Sequence, residues 1–248
     1  MKKSMDNMVF GLHSVNETLK SDNDIDKIFI QSNLRSDGIN EIVQEAKLKN
    51  IPISIVPIEK LNRFTRKNHQ GVVCFTSSVN YASLDNILDQ AYTSGKDPFI
   101  LILDKITDVR NFGAISRTAE CAGVNGIIIP SRGSAQINAD AVKTSSGALN
   151  YIPVSRELNL KDTITYLKES GISIIACSEK TEDMIYDADY NKPVAIIMGS
   201  EESGISQEYL KLADQHVKIP MTGQVGSLNV SVATGVIVYE AIRQRSLK

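Results

Sequence analysis

From Phe99 onward the chain alternates short apolar runs with helix-length stretches, and this alternation constrains the fold more than any other feature. Phe99–Leu103, Gly126–Ile129, Ile172–Cys177 and Val194–Met198 are apolar and bounded by turn residues. A run with no alternating polar face must be covered on both sides, as strands of a parallel sheet between helices are. Tyr151–Val154 and His216–Ile219 read as shorter strands, and Ala114–Ala122, Ala139–Ser146, Leu160–Ser170 and Gln207–Leu212 as helices between them. The pattern predicts a doubly wound α/β domain over residues 97–248. Its last helix, Asn229–Arg245, is apolar over most of its circumference through Val230, Val232, Ala233, Val236, Ile237, Val238, Ala241 and Ile242. Such a helix must be buried in its own fold or against a partner.

The preceding part predicts a second, smaller α/β unit over residues 1–78. A helix starts near Leu12, followed by strand Ile25–Gln31, helix Gly38–Lys49, strand Ile51–Val56, a helical stretch from Ile58 and strand Gly71–Thr76. Residues 79–96 are more polar, hold a helical stretch around Leu84–Ala91, and end in a turn-rich Thr93–Pro98, which suits a linker. Net charge over the 248 residues is −2, yet residues 1–78 carry 11 Lys and Arg against 9 Asp and Glu. The excess is local, with Lys60, Arg63, Arg66, Lys67 and His69 close together. Such a run suits phosphate binding or, more plainly, a solvated loop.

Several classes are disfavoured. No apolar run approaches the ~20 residues that cross a bilayer, and the lysines at the start precede no apolar segment of the secretory kind. Cys74, Cys121 and Cys177 are odd in number and widely spaced, which argues against a disulfide framework. With His13, His69 and His216 they make no metal-ligand spacing. The expectation is a protein of the reducing cytoplasm, with neither membrane segment nor metal. No G-x-G-x-x-G follows a strand, and neither a Walker A sequence nor a G-x-S-x-G elbow is present.

In an open parallel sheet ligands bind beyond the carboxyl ends of the strands. The first strand of the larger domain runs into Asp104–Gly113, with Asn111 near a helix start and Arg117 just beyond, a setting suited to an anion or to a cap and a surface arginine. The strand ending at Met198 continues Gly199-Ser200-Glu201, where Gly199 admits close backbone approach; a capped glycine turn is the plainer alternative. Ile219-Pro220-Met221 then leads to Ser227-Leu228-Asn229-Val230-Ser231 at the mouth of the most apolar helix. Polar groups there are costly to bury unless paired or used, and a single N-cap accounts for only one of them.

Together these segments resemble the motifs of the SpoU branch of the SPOUT RNA methyltransferases. Asn111-Phe-Gly-Ala-Ile-Ser-Arg117 is similar to the first motif, Ile197-Met-Gly-Ser-Glu201-Glu-Ser-Gly204 to the second, and Ile219-Pro-Met221 with Ser227-Leu-Asn229-Val-Ser231 to the third. Phe10-Gly11-Leu12-His13 and His69-Gln70-Gly71-Val72 resemble the small RNA-binding domain, akin to ribosomal protein L30e, of enzymes that methylate a 23S rRNA guanosine. Two departures stand out: Val109-Arg110 replaces the frequent Pro before the first-motif Asn, and Gly147-Ala148-Leu149-Asn150 replaces Gly-Ala-x-Glu.

The resemblance implies a deep trefoil knot in the C-terminal half and a homodimer formed through it. It implies S-adenosylmethionine held by Cys177, Ser178, Met198, Gly199, Ile219, Met221 and Leu228. Asn111, Arg117, Glu201, Ser227 and Asn229 are the catalytic candidates, and Lys60, Arg63, Arg66 and Lys67 the RNA-binding ones. An arginine, with a pKa above ~12, is a poor proton acceptor, so Arg117 is expected to hold phosphate and stabilise the developing alkoxide. The implied reaction is 2′-O-methylation of a ribose, most directly in 23S rRNA. Alternatives are a tRNA 2′-O-methyltransferase and a non-enzymatic rRNA-binding or assembly factor that keeps the fold.

Overall fold

A computed structural model describes residues 7–21 and 23–247. The chain forms two units, one running through Asn80 and including Gln136–Ala139, the other made of Tyr81–Ala135 and Asp140 onward.

In the first unit the elements are β1 (Met8–Phe10), α1 (Leu12–Lys20), β2 (Ile25–Gln31), α2 (Asp37–Leu48), β3 (Ile53–Val56), α3 (Ile58–Phe64) and β4 (Val72–Thr76). The sheet order is β1-β4-β2-β3, with β4 antiparallel to both neighbours and β2 parallel to β3. Alternation sends Ile28, Ile30, Val72 and Cys74 to one face, where Val15, Leu19, Ile39 and Ile42 of α1 and α2 cover them. Ser36 starts α2 by accepting from the Ile39 amide at 3.3 Å. The other face carries Phe29 and Val73 with Leu61 of α3. The edge strand β1 is too short to show a period of two and has no counterpart in the sequence expectations.

The second unit contains α4 (Leu84–Thr93), β5 (Phe99–Leu103), α5 (Val109–Cys121), β6 (Gly126–Pro130), α6 (Ala139–Thr144), β7 (Val154–Glu157), α7 (Leu160–Glu169), β8 (Ser173–Cys177), β9 (Val194–Met198), α8 (Gln207–Leu210), β10 (Gln215–Val217) and α9 (Val230–Arg245). Its six strands are parallel in the order β10-β8-β9-β5-β6-β7. The central strands β5 and β9 are buried at every residue, as expected of apolar runs covered on both faces.

Two features depart from the sequence expectations, and a third narrows one of them. Residues 79–96 hold α4, capped by Ser83, and Leu84, Ile87 and Leu88 join the core of the second unit. Their spacing with Ala91 makes one apolar stripe, and Gly126 admits it, since a Cβ there would lie 2.7 Å from Ile87. The strand expected at Tyr151–Val154 begins only at Val154, because a single 3-10 turn, Ala148–Asn150, precedes it and Tyr151 faces solvent. Helix α9 is not buried all round: Ile237, Val238 and Ala241 are, while Val232, Val236 and Tyr239 are 51%, 37% and 53% exposed. Among the described residues no helix is long and apolar enough to cross a membrane.

Candidate active site

The carboxyl ends of β8 and β9, the chain leaving β10 and the start of α9 enclose a cavity of about 400 Å³, within the usual range for small-molecule sites. All seven positions expected to hold a cofactor line it: Cys177, Ser178, Met198, Gly199, Ile219, Met221 and Leu228. Glu201 and Ser227 line it too. So do Glu179, Ser200 and Lys218, each the chain neighbour of a member of the sequence-based set, and Lys180, two residues beyond Ser178; none of the four is in that set.

The wall at Gly199 is built by close backbone approach. A Cβ there would stand 2.2 Å from the Gly204 carbonyl carbon and 2.3 Å from the Ile205 nitrogen, so only glycine fits. The loop folds back because the Gly204 amide donates to the Ser200 carbonyl at 2.9 Å, with Gly204 at φ 63°, and the Ser203 amide to Ser200 Oγ at 3.1 Å. Buried Asp104, just past β5, accepts from the Ser206 amide at 2.7 Å and ties the loop to the sheet. Cys177 supplies no nucleophile: burial, with the Glu179 charge adding, pushes its thiol up to about 12.

Three catalytic candidates meet beside the cavity although 90, 28 and 118 residues separate them pairwise. Asn111 is placed by the first turn of α5, where Asp108 caps the helix by accepting from the Arg110 and Asn111 amides at 2.9 and 2.8 Å. Asn111 Nδ2 donates to Glu201 Oε1 at 3.3 Å. Asn229 Nδ2 donates to Asn111 Oδ1 at 3.0 Å and to Glu201 Oε1 at 2.5 Å. Glu201 Oε1 also accepts from the Val230 amide at 3.1 Å, satisfying an N–H that the helix leaves without an internal partner. Asn229 is at the same time the N-cap of α9, its Oδ1 accepting from the Ser231 amide at 3.0 Å. Capping and clustering therefore use different atoms of one side chain.

Arg117 belongs neither to this cluster nor to the cavity lining. It is exposed on α5 and has no ion-pair partner among the described residues. In the first unit Lys60, Arg63, Arg66 and Lys67 are exposed along α3 and the turn after it. His69 departs from the basic run: it is buried, with Nε2 3.0 Å from Asn62 Oδ1 and Nδ1 accepting from the Gly71 amide at 3.0 Å. A ring whose Nδ1 accepts an amide proton is neutral and holds the turn into β4.

Comparison with known proteins gives the family. Residues 98–239 match the model of the SpoU rRNA methylase family, and residues 8–82 that of the RNA 2′-O ribose methyltransferase substrate-binding domain. A Bacillus subtilis protein named for the TrmH family of tRNA/rRNA methyltransferases, YacO, is 37% identical over 238 residues, 96% of each chain. The AdoMet-bound rRNA methyltransferase of Sinorhizobium meliloti is 27% identical with a TM-score of 0.61, covering 96% of this chain and 87% of its own. The TrmH/SpoU tRNA modifying enzyme of A. aeolicus is 32% identical with a TM-score of 0.56, covering 61% of this chain and 76% of its own. The fold is of the SPOUT methyltransferase type with an added N-terminal domain, and the chain belongs to the SpoU family of RNA methyltransferases.

Proposed function

We propose that this RNA methyltransferase methylates a ribose 2′-hydroxyl of rRNA in the cytoplasm, with a guanosine of 23S rRNA as target and S-adenosylmethionine as methyl donor. The observation that carries the proposal is the adjacency of the cavity to the Asn111–Glu201–Asn229 cluster. The cavity fits the donor: apolar Met198, Ile219 and Leu228 alternate with polar Ser178 and Ser227, and the glycine at 199 keeps the backbone wall open to contact. When bound, S-adenosylmethionine supplies an activated methyl group that needs no metal.

A ribose hydroxyl is a weak nucleophile at neutral pH and must be positioned and relieved of its proton. Glu201 and Asn229, locked to each other, hold the mouth of α9 in one geometry so that Ser227 and the helix start face the cavity. Arg117, exposed and with no ion pair among the described residues, is available to take the target phosphate and stabilise the developing alkoxide. Lys60, Arg63, Arg66 and Lys67 bind further phosphates from the first unit. The rRNA enzyme of S. meliloti covers 96% of this chain and the tRNA enzyme of A. aeolicus 61%, which favours rRNA over tRNA as substrate.

The same proposal includes an L30e-like first unit, a trefoil knot and a homodimer. Contacts of the β8–β9 loop with the chain leaving β10 and with the last turn of α9 support threading: the Ile185 amide donates to the Lys218 carbonyl at 2.9 Å, and Gln244 Nε2 to the Ala188 carbonyl at 3.0 Å. The exposed stripe Val232, Val236 and Tyr239, one helical face at i, i+4 and i+7, supports dimerisation through α9. Val236→Lys should then yield a folded monomer by light scattering, whereas Ile237→Lys should unfold the chain; a dimeric Val236→Lys protein contradicts this interface. Mapping 2′-O-methylation in rRNA from cells with and without the gene tests the function: one ribose should lose its methyl. An unchanged rRNA map with a lost tRNA methyl would assign the tRNA alternative.

A further inference from the structure

On the second face of the first unit's sheet, strand register sets two cross-strand rows. Met8, Phe75 and Lys27 stand opposite one another on β1, β4 and β2, and Phe10, Val73 and Phe29 form the next row. The two faces are covered unequally. Two helices cover the first, while this one has the short α3 over β2, and Phe10, Phe64 and Phe75 stay half-buried. The rings of Phe29, Phe64 and Phe75 meet at centroid distances of 5.0, 5.9 and 5.2 Å in tilted or edge-on pairs. Lysines from β2, α3 and the turn after α3 lie over this surface: Lys27 and Lys60 Nζ are 5.3 and 5.4 Å from the Phe29 ring centre, and Lys67 is 6.0 Å from that of Phe10.

Packing alone gives no reason to leave a cluster of aromatic rings half open and ringed by cations. The combination complements a polymer with anionic links and flat apolar faces. In duplex RNA those faces are spent on one another, whereas loops and ends can splay bases onto aromatic rings. We propose that this face binds an unpaired segment of the RNA substrate, with bases stacked on Phe10, Phe64 and Phe75 and Lys27, Lys60 and Lys67 on the flanking phosphates. The proposal rests on the RNA-methyltransferase assignment and adds a selection for single strands that the basic row on α3 does not supply.

The test uses the full chain with a short single-stranded RNA carrying 2-aminopurine and a duplex of equal length. The strand should bind more tightly, with a change in 2-aminopurine fluorescence. Phe10→Leu and Phe75→Leu should each weaken strand binding roughly 5- to 100-fold while leaving duplex binding unchanged. Should either variant melt early by circular dichroism, ultraviolet crosslinking of the unaltered protein decides instead, with crosslinks expected on the peptides holding Phe10, Phe64 and Phe75. Equal affinity for strand and duplex, crosslinks confined to other peptides, or a face covered by a second copy of the chain would overturn the proposal. Methyl transfer to an rRNA fragment, measured alongside, separates the two levels: its persistence in those cases leaves the enzymatic assignment standing.

Discussion

The polar groups of the two units are arranged in opposite ways. Around the cavity of the second unit they are turned on one another: Glu201 collects the Asn111, Asn229 and Val230 donors, and Ser200 collects the Ser203 and Gly204 amides. On α3 of the first unit Lys60 and Arg63 are exposed, as are Arg66 and Lys67 beyond it. Internal satisfaction makes a rigid shape, which suits a small ligand of fixed form. Outward charge makes a field, which suits a long polyanion in many registers. Arg117 lies in the second unit yet is exposed like the cations of the first, so it should act on RNA and not on the cavity.

That contrast breaks most visibly at Arg117. Arg117→Ala should leave melting temperature and S-adenosylmethionine affinity unchanged while turnover falls by ~10²–10³. Arg117→Lys keeps charge without the planar fork and should recover little. Strong recovery of the lysine enzyme at alkaline pH, where an amine with pKa of ~10.4 starts to lose its proton, would make the residue a base.

Gly199→Ala should do the reverse. Its Cβ would press on the backbone of Gly204, and overpacking of this kind costs ~1–3 kcal/mol. Calorimetry should show cofactor affinity falling by roughly 5- to 100-fold, with RNA affinity kept. A variant that binds cofactor normally would show that the loop is not part of the site. Smaller still is Asn229→Ala, which removes the α9 cap and should lower stability by ~0.5–2 kcal/mol in urea unfolding. If stability is unchanged while turnover drops, Asn229 acts on the substrate and its cap is incidental.

The smallest effect per residue belongs to the basic row. Replacing Lys60, Arg63, Arg66 and Lys67 together should flatten the log–log salt dependence of RNA binding, by up to ~0.7–0.9 for each phosphate left without its cation. Cofactor affinity should be untouched. An unchanged slope would return the row to a solvated surface.

Legibility in the sequence follows the same division. Strands β5, β8 and β9 stand out because burial on both faces leaves them almost wholly apolar, and the cavity lies at the carboxyl ends that such strands imply. Residues 79–96 resemble a linker because their polar ends outweigh a single stripe of four apolar positions, yet Leu84, Ile87 and Leu88 are core. His69 counts as a cation by type, and only its bonds to Asn62 and Gly71 show it to be buried and neutral. The meeting of Asn111, Glu201 and Asn229 has no trace in local pattern, since it depends on how distant strands are ordered; motif resemblance singles out the residues, and geometry joins them. The half-open aromatic face is hidden from sequence reading because alternation along β1, β2 and β4 says which residues share a face but not how fully a helix covers it.

The central claim, that the second unit's cavity and cluster serve methyl transfer to a ribose oxygen, is tested most directly by locating the methyl group. The purified chain is incubated with methyl-labelled S-adenosylmethionine and 23S rRNA, and the product is hydrolysed in alkali, which cannot cleave the linkage next to a 2′-O-methyl. The label should appear in one alkali-stable dinucleotide led by guanosine, and Arg117→Ala should slow its appearance by ~10²–10³. Label recovered in a mononucleotide would place the methyl on a base and contradict the account.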